Sequence, residues 1–325
     1  MALTADTPVP TANGWVRAAD LRVGDVVFNP SGGAQPVKVV QTYIPDSCYR
    51  VQFDDGLTLE GDRRLTLKLQ TKNYRDAYSK WIKNRGKKYS KPNRSNLAPR
   101  TMHELYKGDL RHPDGRWQYS VQNVEPLAFP WVDLPVPPYV FGIWFGSLGP
   151  TGRHYVRTMD VEHVKKRLRQ YGFTILVKKR KSGTRVLEFR PSVKDSFLFA
   201  GAEIPKNVPF YYILSAPEQR RELLEGILDS GTCNFHARLQ KHAIFDKRMD
   251  VIRRFQSLLE SLGYKTVLDK RPDRAHYNLF FRKNPKNSPL VRRFVRKVAK
   301  VEPKACVHVA ADDQIVVGEG FIPVC

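Results

Sequence analysis

Long apolar runs are missing from this chain of 325 residues. Nothing in it approaches the roughly 18 residues that a bilayer-crossing helix needs, so no membrane span is expected. The opening MALTADTPVPTANGW lacks the basic-then-apolar order of a secretory leader, and none is expected there. Cysteine is scarce: Cys48, Cys233, Cys306 and Cys325 lie far apart and never form CxxC. That spacing argues against a disulfide scaffold and against a structural zinc site. What is present is an apolar fraction of 41%, which sets the chain apart from disordered and fibrous sequences. The length gives a prior of two domains, at about 150 residues each. The expectation is a soluble, cytoplasmic protein.

Acidic residues are few where basic ones crowd. The net charge is +23, yet residues 1–70 carry −1 and residues 301–325 carry −3. Residues 71–300 therefore hold +27, from 47 basic and 20 acidic side chains. A need for solubility alone would not sort charge in this way, whereas an electrostatic footprint for a polyanion would. A solvated lysine-rich face is the plainer alternative. Nucleic acid is the partner the pattern favours.

Short β-strands are expected at Trp15–Val16, Val26–Phe28, Val37–Ile44 and Tyr49–Phe53, where β-branched and aromatic residues cluster. The turn sequences Asn29-Pro30-Ser31-Gly32-Gly33 and Asp54-Asp55-Gly56 separate them. The C-terminal stretches Cys306–Val309 and Ile315–Val317 have the same texture, so both chain ends could build one all-β domain. Residues 71–130 read as a basic connector or nucleic-acid-contacting arm, with one short helix from Thr101 to Tyr106.

The middle contains a duplication. Copy one, about 138–200, opens on Pro138–Gly146, passes through an amphipathic helix at Asp160–Tyr171, and ends in strands 174–179 and 185–190. Copy two, about 220–290, opens on Leu223–Ser230, passes through a helix at Arg248–Leu262, and ends in strands 265–269 and 277–282. The apolar spacing of three and four supports both amphipathic helices. Gly142 and Gly146 are four apart, as are Gly226 and Ser230. Glycine inside a helix costs about 1 kcal/mol relative to alanine. The stripe therefore predicts close backbone contact between the two opening helices. Basic residues fall on the expected strands: Arg153, Arg157, Lys178, Lys179, Arg180, Lys181, Arg185 and Arg190 in copy one. In copy two they are Arg238, Lys241, Lys270, Arg271, Arg274, Arg282 and Lys283, with His236 and His242 among them. Such strands suit the major groove of double-stranded DNA, where arginine and lysine reach bases or phosphates. Few exposed-looking aromatics argue against a single-strand stacking platform.

With these motifs in order, the chain resembles an intein carrying a LAGLIDADG homing endonuclease over essentially its whole length. The start Ala2–Pro10 is similar to alanine-starting inteins of phage and actinobacterial replicative helicases. Pro135 and Pro138-Tyr139-Val140 lead into the first endonuclease helix, and Ala216–Arg220 into the second. Val301-Glu302-Pro303, Cys306–Val309 and Gly318–Pro323 match the C-terminal splicing blocks. The resemblance implies an α+β chain. An all-β HINT domain from 1–70 and 301–325 would be interrupted by a pseudo-two-fold αββαββ domain at 131–300, an internal pseudo-dimer in a monomer.

The family's chemistry singles out a few positions. Cys306 matches the internal splicing nucleophile, although a cysteine in an apolar strand is also an ordinary small core residue. Leu65 stands where the family has a histidine and Leu67 where it has a tryptophan; the chain reads Val324-Cys325 where Thr-His-Asn follows. For DNA cleavage the family places a metal-binding carboxylate at the end of each opening helix. Those slots align with Ser147 and Gly231, neither of which offers the charged oxygen that magnesium prefers. Asp229 matches the preceding acid, and a slip in alignment would promote it, with Glu225 or Asp160 nearby. The resulting expectation is duplex-DNA binding with cleavage and splicing lost. An active magnesium-dependent endonuclease and a Cys306-initiated splicing activity are the alternatives.

Overall fold

The computed structural model describes residues 2–84, 90, 97–147, 161–179, 185–230, 232–237, 241–269, 276–282, 292–318 and 320–325. They divide into two compact units. Unit 1 takes 1–128, 263–265 and 284–325; unit 2 takes 129–262 and 266–283. Among the described residues no helix is long and apolar enough to cross a membrane.

Unit 1 begins with short strands: β1 (Ala2–Thr4), β2 (Pro8–Thr11), β3 (Gly14–Arg17), β4 (Val26–Phe28), β5 (Ala34–Pro36) and β6 (Val39–Tyr43). Longer ones follow at β7 (Cys48–Phe53), β8 (Thr58–Asp62) and β9 (Thr66–Thr71). Then come α1 (Lys72–Lys83), β10 (Ala98–Thr101), α2 (Met102–Lys107) and β11 (Tyr119–Gln122).

Unit 2 opens with α3 (Pro138–Gly146), α4 (Val161–Gln170), β12 (Thr174–Lys179), β13 (Arg185–Arg190), α5 (Val193–Phe199) and α6 (Phe210–Ile213). Its second half is α7 (Pro217–Asp229), β14 (Cys233–His236), β15 (Lys241–Asp246), α8 (Met249–Ser261), β16 (Thr266–Asp269) and β17 (Tyr277–Phe281). The chain finishes in unit 1 with β18 (Arg292–Val301), β19 (Cys306–Ala310), β20 (Ile315–Val317) and β21 (Ile322–Val324).

A nine-stranded antiparallel sheet organises unit 1, in the order β10-β9-β11-β18-β7-β8-β1-β19-β6. The first strand pairs with β19, Ala2 opposite His308 and Thr4 opposite Cys306, so N- and C-terminal strands share one sheet. Alternating apolar positions such as Leu67, Leu69 and Val121 meet Leu3, Val51 and Val307 in one core. Within 71–130, read above as a connector, the described residues supply α1, β10, α2 and β11 to this unit: β10 and β11 flank β9, and β11 also pairs with β18. Met102, Leu105 and Val121 are buried, and so is Arg75, while Lys80, Lys107 and Arg111 are exposed. The expected helix at 101–106 is α2. Thr101 caps it by accepting from the Glu104 N–H (3.2 Å), and Glu104 accepts from the Thr101 N–H (2.8 Å).

In unit 2 the described residues repeat an opening helix (α3, α7), an amphipathic helix (α4, α8) and a strand pair (β12–β13, β16–β17), while 148–160, 180–184, 231, 238–240, 270–275 and 283–291 lie outside the described residues. The amphipathic helices bury Val164 and Leu168 in α4 and Val251, Phe255 and Leu258 in α8. Each ends in a positive-φ glycine, Gly172 (77°) and Gly263 (82°), the turn a left-handed C-terminal residue makes possible. Strands β14-β15-β17-β16 form a four-stranded sheet, and β12-β13 a two-stranded one.

Candidate functional site

The helix pair at the centre of unit 2 is built on missing side chains. A methyl group added to Gly226 would collide with the Tyr139 carbonyl oxygen and lie 2.8 Å from the Ile143 nitrogen. One added to Gly142 would collide with the Leu223 carbonyl oxygen and lie 3.1 Å from the Ile227 nitrogen. The small-residue stripe thus lets α3 and α7 touch backbone to backbone. Both helices end beside one another, α3 at Ser147 and α7 at Ser230.

Ser147 caps α3 and is buried. Its hydroxyl donates to the Ile143 carbonyl at 2.5 Å and lies 3.5 Å from the Ser230 carbonyl oxygen. Gly231 lies outside the described residues. Asp229 accepts a 2.9 Å hydrogen bond from Tyr139 Oη, with His163 Nε2 at 3.8 Å. Burial, followed by the Asp229 charge, raises the Tyr139 hydroxyl well above its ordinary pKa. Arg167 lies 4.5 Å from the centre of the Tyr139 ring and bonds Glu225 at 3.1 Å. Asp229 and Glu225 are thereby engaged in a network with α3 and α4. Among the described residues no three His, Cys, Asp or Glu side chains gather as metal ligands.

The four-stranded sheet has two chemically different faces. One packs on α8: Ile244, Leu279, Phe281 and Thr266 are buried there, and Thr266 Oγ1 donates to Glu260 of the helix at 2.6 Å. The cross-strand register puts Asn234, Ala243, Phe280 and Val267 in one row on the opposite face, with His236 opposite Lys241 beside it. Asn234, His236 and Val267 are exposed. Asn234 is uncharged, so the pattern of basic residues carries no signal for it. Phe235, 55% exposed and 5.0 Å from the His242 ring, also departs from the expectation of few exposed aromatics.

Of the basic positions named from sequence, Arg190, Lys241 and Arg282 are described with their side chains; Arg190 and Arg282 are exposed, Lys241 half-buried. Arg190 contacts Glu188 at 3.3 Å. Lys178 pairs with Val186 and Lys179 with Arg185 in the β12–β13 hairpin. Arg153, Arg157, Arg180, Lys181, Arg238, Lys270, Arg271, Arg274 and Lys283 lie outside the described residues.

In unit 1, Cys306 is wholly buried, its sulfur 3.8 Å from that of Cys48. Burial, then the neighbouring thiol, pushes the Cys306 thiol up to about 12. An open cavity of 510 Å³ is lined by Ala2, Gln41, Tyr43, Asp62, Arg64, Thr66, His308 and Cys325. Asp62 accepts from Tyr43 Oη at 2.7 Å and from the Arg64 and Leu65 N–H groups at 2.8 Å each. Burial holds His308 below its ordinary pKa, which leaves it neutral near pH 7. Leu65 and Leu67 are fully buried in the core.

The Cys306 shift predicts reactivity. Native-state alkylation of Cys306 is expected on the order of a hundredfold slower than that of half-exposed Cys233, as read by peptide mass spectrometry. A thiol held protonated by folding adds stability below its ordinary pKa and loses it as pH rises. Stability should therefore fall from about pH 9 to about pH 12, and Cys306→Ala should flatten that limb.

No protein-family model matches the chain. It is 29% identical over 311 residues to a replicative DNA helicase DnaB of Mycobacterium intracellulare. That match covers 91% of this chain and 50% of the helicase, so the chain spans about half the length of the curated relative it matches. Among solved structures, the MchDnaB-1 intein is 29% identical over 21% of this chain and 53% of that one, with a TM-score of 0.20. The Msm DnaB1 intein splicing domain bound with zinc is 32% identical over 21% and 54%, also at 0.20. I-DmoI in complex with DNA and Mn is 14% identical over 45% and 89%, with a TM-score of 0.32.

Proposed function

We infer that this chain, an intein-type sequence with a LAGLIDADG homing-endonuclease insert, binds duplex DNA through unit 2 and neither cuts it nor splices. In this reading unit 1 is the HINT domain and unit 2 the endonuclease-derived one. The observation that carries the binding half is the basic excess of unit 2, 27 basic against 15 acidic side chains, +12 of the +27 over residues 71–300. The open sheet face with Asn234, His236 and Lys241 supports it, because a β-surface of that chemistry fits the major groove. Phosphate contacts from lysine and arginine position the protein, and side chains such as Asn234 discriminate bases.

Cleavage in this family calls on divalent metal, and the residues present do not fit it. The Ser147 hydroxyl is spent on the Ile143 carbonyl, and Asp229 is bound by Tyr139. Magnesium takes oxygen ligands and prefers carboxylates, so no metal-assisted step is assigned. Splicing fails on the same kind of ground. A thiol pushed up to about 12 is a poor nucleophile at neutral pH without a base, and buried Leu65 stands where an imidazole would help.

Gel shifts with random-sequence duplex should show retention at low salt and a steep salt dependence. With six to ten phosphates engaged, affinity should fall by about 10³ or more between low and physiological salt. Supercoiled plasmid incubated with magnesium or manganese should remain intact. Nicking that requires the metal and disappears in Asp229→Asn would restore the endonuclease reading; no retention at any salt would end the DNA reading.

A further inference from the structure

The open face of the four-stranded sheet in unit 2 changes character from row to row. In one row His236 lies opposite Lys241, and exposed Arg282 stands two residues beyond Phe280. The neighbouring row is Asn234, Ala243, Phe280 and Val267, one residue from each of β14, β15, β17 and β16. The row on its other side, Phe245, Asn278 and Asp269, is buried or half-buried. What the face offers to a partner is thus a cationic row and a mostly apolar one beside it. In the apolar row Val267 is 41% exposed, and Phe280 is half-buried with its ring centre 5.8 Å from that of His236.

Electrostatics accounts for the first row and not for the second. Contacts from lysine and arginine to phosphate carry no sequence information. An apolar side chain adds nothing to them; it gains only when another apolar group covers it and excludes water. In the major groove that group is the 5-methyl of thymine, the apolar feature that base edges present there. Exposed Asn234, at the far end of the row, is of the type that bonds adenine through N6 and N7. Both ends of the row therefore match A·T pairs. With strands about 4.8 Å apart, four of them span about 14 Å. That is the rise of about four base-pair steps, so Asn234 and Val267 can meet different pairs.

We propose that this row makes unit 2 a reader of A·T pairs, Val267 and Phe280 covering thymine methyls while Asn234 bonds an adenine. The proposal rests on the DNA-binding reading of unit 2 and adds to it the class of sequence that is bound. Burial of a methyl group is not screened by salt as phosphate contacts are, so the discrimination should persist while overall affinity falls.

The test uses the full chain. Duplexes enriched from a random pool by gel retention are remade with deoxyuridine for thymidine, which removes the methyl and keeps the pairing. Affinity should fall about fourfold for each methyl covered, the factor that corresponds to about 0.8 kcal/mol per buried carbon group. The same ratio is expected at low and at physiological salt. V267S should narrow the thymidine–deoxyuridine difference about fourfold, and N234A should relax a preference for adenine at one position by about tenfold. Hydrogen exchange over 241–246 and 277–281 should match the unaltered chain in both variants, showing an intact sheet. Equal affinity of the unaltered chain for thymidine and deoxyuridine duplexes overturns the proposal and leaves the DNA reading standing. So does a difference kept in full by V267S with its sheet intact. A pool from which the unaltered chain retains nothing overturns both.

Discussion

Gly226→Leu is expected to unfold unit 2 without denaturant, and Gly226→Ala to leave it folded but weakened by about 2 kcal/mol. The alanine figure combines two effects. Its methyl meets the Tyr139 carbonyl and the Ile143 nitrogen, which are backbone atoms that cannot rotate aside, so α3 and α7 must part. Overpacking of that kind costs about 3 kcal/mol. Alanine's better helix propensity returns about 1 kcal/mol. Leucine adds three more carbons to a space that already excludes one. Gly142→Ala should behave alike, and the double variant should cost less than the sum, since both open the same crossing. Hydrogen exchange over 138–146 and 217–229 reads the effect locally. Equal protection in Gly226→Ala and the unaltered chain would mean the helices do not touch through backbone.

The second large effect is expected at Arg220, the bulkiest wholly buried side chain described. Its Nε donates to the Ser215 carbonyl at 2.8 Å and its Nη1 to the Ser261 carbonyl at 2.7 Å, tying the start of α7 to the end of α8. The Phe129 ring centre lies 5.1 Å from the guanidinium. Burial pulls its pKa down to about 9, yet the group stays charged at neutral pH. Arg220→Ala removes the donors and leaves a cavity, which together should cost about 3–5 kcal/mol. Arg220→Met fills the space and strands only the carbonyls, so about half of that loss should return. Peptides from 217–229 and 249–261 would report both variants. If methionine proves as damaging as alanine, volume is not what Arg220 contributes beyond its hydrogen bonds.

Much of this architecture is legible in the residues. The strand bounds 174–179 and 185–190 agree with β12 and β13, where short apolar runs with β-branched residues, Ile175–Val177 and Val186–Leu187, mark the strands. The Gly142/Gly226 stripe announced a helix contact, since only a close approach explains glycine in a helix interior. Residues 72–122 were harder. Their apolar positions, Met102, Leu105 and Val121, are sparse among lysines and arginines, and the strands they feed are completed by partners distant in sequence. The strand β18 was hidden likewise. Its Arg-Lys-rich text reads as solvated surface, while Arg293 is buried against Asp55 and donates to the Gly320 carbonyl. The sequence draws attention to Ser147 and Cys306 but not to their neighbours. The Ile143 carbonyl and the Cys48 thiol become neighbours only through helix geometry and sheet order.

Strands β11 and β18 are adjacent and antiparallel, with Gln122 opposite Arg292. Topologically, then, everything between those two residues is the loop of one β-hairpin. A loop's closure entropy grows only with the logarithm of its length. Exchanging this excursion for a turn of about ten residues would save about 2.5 kcal/mol by that relation. The exchange would forfeit local contacts such as Lys265 with Asp54. A sheet arranged so can gain or shed an entire domain at a single joint, without re-threading any other strand.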